Sequence, residues 1–246
     1  MKKTELIDRY FEVMIQEKLY SSKGRLRFYL RRLFEDISFE NKTFMDIGGG
    51  NGLFSFYAAC MGAKEVLCLE PEAEGSSSDV HTHFRKIHSH LSFLGQVKLE
   101  HSTIQSFESC GKKFDVILLH GSVNHLDEKA CINLRGDENS RNIYRAIFAK
   151  ISSIANIGAK IIIYDCSRYN FFSLLGVKNP FASSIEWHKH QSPKLWAELL
   201  SEAGFFKPKI QWMSFNLLRS PGKVFLGNKF MSYFISSHFF LRMEKA

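Results

Sequence analysis

The chain has 246 residues and a hydrophobic fraction of 45%, which is enough apolar material for the core of one ordinary α/β domain. Its formal net charge is +8, and basic residues are concentrated in the stretches 23–32 and 205–246, which indicates either a binding surface for anions or a solvated basic face. The five cysteines are scattered and never spaced as CxxC, which argues against a disulfide framework or structural zinc and favours a reducing, cytoplasmic location.

The N-terminal part of the sequence predicts two amphipathic helices before the first strand. Apolar residues recur at helical spacing over 5–20 and, more regularly, over 24–37. The first residues are charged and form no apolar core of signal-peptide length, so we expect no export signal. No apolar run approaches the roughly 20 residues that span a bilayer, so we expect no membrane span. We interpret 1–40 as a helical cap and 41–246 as the main domain.

Short apolar runs alternate with helical patterns through the rest of the chain. Runs rich in valine and isoleucine predict strands, and the amphipathic stretches between them predict helices. The predicted strands are TFMDIG, EVLCLEP, QVKLEH, FDVILLHG and AKIIIYDC, followed by FKPKIQWM and SSHFFLRM, which would pair antiparallel at one edge. This order predicts an α/β fold with a doubly wound, mostly parallel seven-stranded sheet and an antiparallel edge hairpin.

Glycines follow the first predicted strand in the stretch FMDIGGGNG, residues 44–52. A strand that ends in glycines and leads into a helix exposes backbone N–H groups, and such turns typically bind anionic or polar ligands. A dinucleotide fingerprint that starts at Gly48 is incomplete because Leu53 replaces its third glycine, and the lysine of a P-loop is absent. The pattern present is DxGxGxG, beginning at Asp46. Glu70 ends the second strand, where a carboxylate can accept both hydroxyls of a ribose.

These two features resemble the first and second motifs of the class I S-adenosylmethionine-dependent methyltransferases, and the order of elements is similar over 44–212. The resemblance implies a Rossmann-like methyltransferase domain with S-adenosyl-L-methionine as its cofactor. It also implies that Asp46 orients the glycine turn and that Glu70 holds the ribose. After the third strand this chain has serine, threonine and isoleucine where the family often has an aspartate near the adenine. The predicted cofactor-binding residues are Asp46, Gly48, Gly49, Gly50, Asn51, Glu70, Pro71, Ser102, Thr103, Ile104 and His120.

Four histidines are candidate catalytic residues, because methyl transfer to a hydroxyl requires a base and imidazole titrates near neutral pH. His120 and His125 follow the fourth strand, where the chemistry of such folds is concentrated. His125 resembles a family feature that need not be catalytic. His188 and His190 belong to a long insertion, about 166–192, which is typical of a functional lid, although it could also be a packed cover for the sheet.

The sequence does not support a metal site. The histidines of HTHFRKIHSH, residues 81–90, flank an apolar stripe, and no two of them have the i, i+4 spacing that places ligands on one helical face. We therefore assign them to a solvated face. Methylation of catechols with metal assistance would need acidic ligands after strands four and five, and only Asp165 is available there. We predict no metal.

Three classes of function remain open from the sequence. The leading prediction is methyl transfer to a small polar acceptor, with a hydroxyl favoured over an amine and a sugar or lipid-linked sugar precursor as a suggestion from the aromatic and polar residues of 166–192. The positive charge keeps open a methyltransferase of RNA or another nucleic acid, although the motifs of aminopurine and cytosine C5 enzymes are missing. The third class is a non-catalytic binding module. The sequence identifies neither the acceptor nor the oligomeric state.

Overall fold

The computed structural model describes residues 2–71, 79–213 and 228–246. Seven strands form one mixed sheet in the order β3-β2-β1-β4-β5-β7-β6, with helices on both sides. The strands are β1 (Thr43–Ile47), β2 (Glu65–Leu69), β3 (Val97–Glu100), β4 (Phe114–His120), β5 (Ala155–Cys166), β6 (Phe205–Trp212) and β7 (His238–Lys245). This arrangement confirms the predicted α/β class with a Rossmann-like seven-stranded sheet.

Nine α-helices lie within these described ranges. They are α1 (Lys3–Gln16), α2 (Lys23–Leu33), α3 (Leu53–Cys60), α4 (Val80–His90), α5 (Glu128–Asn133), α6 (Glu138–Ser153), α7 (Phe171–Leu174), α8 (Pro193–Glu202) and α9 (Lys229–Phe234). Two short 3-10 helices cover Val123–His125 and Trp187–Lys189. None of these helices has the length and apolarity of a membrane span.

The central strand β1 explains the position of the glycine turn. All five of its residues are buried, which is why its sequence is a continuous apolar run with one aspartate rather than an alternating pattern. β1 pairs in parallel with β2, so that Ile47 lies beside Leu69. Because parallel strands end at the same edge of a sheet, the turns that follow β1 and β2 both open there.

The chain divides into two compact units. The first contains residues 1–119 and 154–159, and the second contains 120–153 and 160–246. The predicted boundary between a cap and a main domain at residue 40 stays a prediction, and in the structure α1 and α2 belong to the first unit.

The first unit has an aromatic core between its N-terminal helices and β1. Phe34 stacks on Tyr57 with ring centroids 5.6 Å apart and meets Phe39 edge to face at 4.9 Å. Tyr10 of α1 is fully buried and donates a hydrogen bond from its hydroxyl to the carbonyl oxygen of Leu53 at 2.9 Å. The bond ties α1 to the start of α3, directly after the glycine turn.

The second unit contains the antiparallel edge that the sequence predicted. β7 pairs antiparallel with β5 and with β6. Helix α8 begins as expected, because Ser192 caps it by accepting from the Leu195 N–H at 3.3 Å and Pro193 occupies its first turn. Trp196 of α8 is fully buried, with its ring 5.2 Å from that of Tyr144 of α6.

Candidate functional site

The turn after β1 depends on glycine for its backbone conformation. Gly48, Gly50 and Gly52 have φ angles of 70°, 54° and 78°, in the left-handed region that glycine adopts without steric cost. A Cβ on Gly50 would meet no atom of the described residues within 4 Å, so among them its backbone faces open space. The turn therefore presents bare backbone in the way that close approach of a ligand requires.

The layer beneath this turn is tightly packed around Asp46. A Cβ on Gly49 would lie 2.5 Å from Cys68 Sγ and 2.8 Å from Asp46 Cγ, so no side chain fits there. Asp46 is 0% exposed, and its Oδ2 accepts a hydrogen bond from Ser55 Oγ at 2.9 Å. Burial raises the pKa of Asp46 to about 7, and the nearby charge of Glu70 adds to this effect while the Ser55 bond opposes it.

Glu70, directly after β2, faces the glycine turn. Its Oε2 accepts a hydrogen bond from the Gly50 N–H at 2.8 Å. Burial raises the pKa of Glu70 above its usual range, and the bond from Gly50 acts in the opposite direction. The backbone of Glu70 is held as well, since its N–H donates to the carbonyl of Glu100 at 3.0 Å. The structure thus brings Glu70 and Gly50 together, and their role in cofactor binding stays a prediction.

Three buried polar atoms in predicted cofactor-binding residues have no hydrogen-bond partner among the described residues. They are Asp46 Oδ1, Asn51 Oδ1 and Ser102 Oγ. An unsatisfied buried polar atom costs about 1–3 kcal/mol, so a ligand that carries hydrogen-bond donors would stabilise this region. S-adenosylmethionine carries an ammonium group, two ribose hydroxyls and an adenine amino group, so the partly exposed Asn51 and Ser102 fit it, whereas Asp46 is fully buried.

The other predicted contacts after β3 are already occupied within the protein. Thr103 Oγ1 lies 2.9 Å from Ser106 Oγ, and the Thr103 N–H also donates to that hydroxyl at 3.2 Å. Ile104 is 1% exposed and belongs to the core. Of the three residues predicted there, Ser102 is the one with an unsatisfied polar atom.

The assignment of His81 to a solvated face was wrong. It is 3% exposed rather than on a solvated face, and its Nε2 lies 2.8 Å from the carbonyl oxygen of Glu70. Its ring meets that of His101, with centroids 3.8 Å apart. His81 therefore helps to fix the backbone of Glu70. Its position in the first turn of α4, which follows β2, is the signal that could have found it.

In the second unit, His190 and Asp165 form a pair. His190 Nδ1 lies 2.8 Å from Asp165 Oδ1, which also accepts the N–H of Cys166 at 2.8 Å. Asp165 is 3% exposed and the His190 side chain is 15% exposed. When Nδ1 donates to the carboxylate, Nε2 is the nitrogen that can accept a proton, as in histidine bases oriented by an aspartate.

His120, at the end of β4, lies in a different environment. Its ring stacks on Tyr164, with centroids 4.4 Å apart, and Tyr164 stacks in turn on His238 at 5.3 Å. Burial lowers the pKa of His120 to about 3 and that of His238 to about 4. Both are therefore neutral near pH 7, and a group with a pKa of about 3 is a weak general base.

The remaining two candidate histidines are more exposed. The side chain of His125 is 59% exposed, and its Nδ1 lies 3.4 Å from Glu128 Oε2. His188 is exposed on the 3-10 helix Trp187–Lys189. The carboxylate partner of His125 is thus 42% exposed, whereas that of His190 is buried.

A group of side chains in the second unit has the geometry of metal ligands. The ligand atoms of Asp165, Cys166 and His190 all lie within 4.8 Å of one another. A carboxylate, a thiolate and an imidazole would together suit zinc. Burial and the charge of Asp165 raise the pKa of the Cys166 thiol, which opposes formation of the thiolate. The absence of a metal stays a prediction.

Comparisons of the sequence with models of known families and with curated proteins find no match. The structure resembles a SAM-dependent methyltransferase from Aquifex aeolicus, with a TM-score of 0.58 and 13% identity over 100% of both chains. A Listeria monocytogenes protein, provisionally assigned as an S-adenosylmethionine-dependent methyltransferase, gives a TM-score of 0.61 and 13% identity over 92% of this chain and 100% of that one.

A third solved structure holds both a substrate and a cofactor product. The geranyl diphosphate C-methyltransferase of Streptomyces coelicolor A3(2), with Mg²⁺, geranyl diphosphate and S-adenosyl-L-homocysteine, gives a TM-score of 0.56 and 12% identity over 89% of this chain and 77% of that one. The chain therefore has the fold of the class I S-adenosylmethionine-dependent methyltransferases.

Proposed function

We propose that this protein is a methyltransferase that uses S-adenosyl-L-methionine and acts on a small polar acceptor, with a hydroxyl favoured as the reacting group. The observation that carries the proposal is the bond between Glu70 and the Gly50 N–H, which sets a carboxylate against a bare glycine turn in a methyltransferase fold. A tight turn without a ligand would need no carboxylate there, whereas a cofactor with a ribose does.

We identify the residues of the first unit that would hold the cofactor from their position at the glycine turn and from polar atoms that have no hydrogen-bond partner among the described residues. Glu70 would accept the ribose hydroxyls, and the Gly50 N–H that it now binds would become available to the ligand. Asn51 Oδ1 and Ser102 Oγ would accept hydrogen bonds from amino and hydroxyl groups, while the fully buried Asp46 would support the turn from beneath. When bound, the cofactor supplies the sulfonium methyl group.

His190 is the residue that we propose as the general base. Its Nε2 would take the proton from the acceptor hydroxyl as the oxygen becomes a nucleophile. Asp165, which is 2.8 Å from Nδ1, would fix the tautomer and stabilise the imidazolium that forms. A hydroxyl is favoured over an amine because a neutral amine is already nucleophilic without a base. The weakly basic His120 would not compete with His190 for this role.

The test is methyl transfer from S-adenosylmethionine, labelled in its methyl group, to a panel of phenols, sugars, lipid-linked sugars and amines. We expect label to enter a hydroxyl acceptor with the wild type. His190→Gln should lower this transfer by at least about 100-fold, while binding of the cofactor is unchanged.

The matched control is His188→Gln, since His188 is exposed two residues away. This variant should retain the wild-type rate. Equal rates for His190→Gln and the wild type would contradict the assignment of the base, and transfer confined to amines would contradict the preference for hydroxyls.

A further inference from the structure

Large apolar side chains are exposed on one part of the second unit. Nine such side chains are exposed among the described residues. Six of them lie within 169–181 or at position 230. The six, which we call the apolar surface, are Tyr169 (41% exposed), Leu174 (64%), Leu175 (61%), Val177 (52%), Phe181 (54%) and Phe230 (69%).

A row of rings joins Phe181 to Phe230, so the two parts of the apolar surface are linked. Phe181 contacts Phe172 with centroids 6.2 Å apart, and Phe172 contacts Phe171 at 5.4 Å. Phe171 of α7 meets Phe234 of α9 at 4.9 Å, and Phe234 meets Phe230 at 5.0 Å. Helices α7 and α9 therefore pack as one layer, with exposed phenylalanines at both ends.

Two buried asparagines hold this layer in place. Asn170 and Asn179 are 0% and 1% exposed. The Asn170 side-chain amide donates to the carbonyl of Tyr233 at 3.0 Å and to Ser237 Oγ at 3.1 Å. The Asn179 amide donates to the carbonyl of Ile235 at 2.6 Å. Satisfied buried amides of this kind fix a backbone, so the exposure of the apolar side chains is built into the fold.

The two segments that carry the apolar surface contain basic residues and no acidic ones. The stretches 166–185 and 228–243 contain no aspartate or glutamate. Lys178 and Lys229 are exposed and adjoin the apolar side chains of Val177 and Phe230 in the chain. Exposed aromatic and aliphatic side chains with flanking lysines are typical of surfaces that lie in the interface of an anionic membrane.

We propose that the apolar surface docks this protein onto an anionic lipid bilayer, with its apolar side chains at the boundary between headgroups and acyl chains and Lys178 and Lys229 against lipid phosphates. A symmetric dimer through the same surface would bring equal positive charges together without acidic residues to offset them. An anionic bilayer complements the apolar side chains with its acyl chains and the two lysines with its phosphates. The inference concerns membrane binding alone, so it holds or fails independently of the proposed methyl transfer.

The test is co-sedimentation of the full chain with phosphatidylcholine vesicles that either contain or lack phosphatidylglycerol. We expect binding to the anionic vesicles, weaker binding to the neutral ones, and a decrease as salt is added. The double variant Leu174→Glu/Leu175→Glu should bind the anionic vesicles at least about tenfold more weakly, because it places two anions in the apolar surface.

The matched control is Ile157→Glu, since Ile157 is 89% exposed in the first unit, outside the apolar surface. It should bind like the wild type, and thermal unfolding should show that all three proteins are folded. Equal vesicle binding by the double variant and the wild type would overturn the proposal. A failure of the wild type to bind anionic vesicles would also overturn it. This holds equally if light scattering shows that the wild type forms a dimer and that the double variant does not.

Discussion

Asp46 couples the glycine turn to the stability of the protein. Burial raises its pKa to about 7 from an ordinary value of about 3.9. The folded protein therefore binds this proton more tightly than the unfolded chain does. By linkage, the contribution of Asp46 to the free energy of unfolding is most favourable below about pH 4 and is lost as the pH rises to about 7.

Asp46→Asn removes this ionisation and should remove the associated pH dependence. Between about pH 4 and pH 7 the wild type should lose stability relative to the variant, by at most about 4 kcal/mol, since each pKa unit corresponds to about 1.4 kcal/mol. Urea unfolding of both proteins at a series of pH values measures the difference. A constant difference across this range would contradict the raised pKa.

Asp165 is expected to act through His190 rather than on a substrate. In Asp165→Asn the amide can either donate to Nδ1 or accept from it, so both tautomers of the imidazole become populated. We expect methyl transfer to fall by about 10²–10⁴-fold with little change in cofactor binding. Nitrogen NMR shifts of the His190 ring report the tautomer.

The control for this variant is Glu186→Gln, which changes a neighbouring carboxylate whose side chain is 60% exposed. It should leave both the tautomer and the rate unchanged. A purely structural role for Asp165 would instead lower stability and leave the ring tautomer of His190 as it is in the wild type.

At the scale of elements, local patterns predicted the strands and helices closely but not the contacts of the long insertion. β1 and α8 were predictable because apolar runs, Ser192 and Pro193 act within a few residues of the chain. Helix α7 depends instead on Asn170, whose amide binds the carbonyl of Tyr233, 63 residues away. The pair of His190 with Asp165 spans 25 residues, so periodicity gave no sign of it.

One carboxylate at the C-terminal end of α1 contacts three basic side chains of α4. Glu17, the C-cap residue that follows α1, lies 2.8 Å from Lys86 Nζ, and His83 and His90 also contact it, at 3.2 Å and 3.4 Å. The hydrogen bond with Lys86 lowers the pKa of Glu17, so its stabilising effect is present at neutral pH and is lost as the pH falls through that lowered value.

Glu17→Gln should therefore lower the free energy of unfolding by about 1–2 kcal/mol at neutral pH. Glu12→Gln is the matched control, because the Glu12 side chain is 51% exposed and surface ion pairs contribute little. Chemical denaturation at pH 7 measures both. Equal stability of the two variants would show that Glu17 does not hold α1 against α4.

At the scale of the whole molecule, the fold does not determine which acceptor is methylated. The solved structures share this fold at 12–13% sequence identity. Similarity at this level shows a common fold and does not identify an acceptor. The glycine turn and Glu70, together with the alternation of strands and helices, were sufficient to predict the fold from the sequence. The side chains that would select an acceptor have no comparable pattern.

The central claim is that the glycine turn and Glu70 bind the adenosyl amino acid, and calorimetric titration with S-adenosylmethionine and S-adenosylhomocysteine tests it most directly. We predict one site per chain for each ligand. Affinity should be at least about tenfold weaker in Glu70→Gln, which loses charge-assisted hydrogen bonds, and unchanged in Glu100→Gln, which alters the exposed end of the neighbouring strand. Absence of heat with either ligand, from a wild-type protein shown to be folded, would contradict the account.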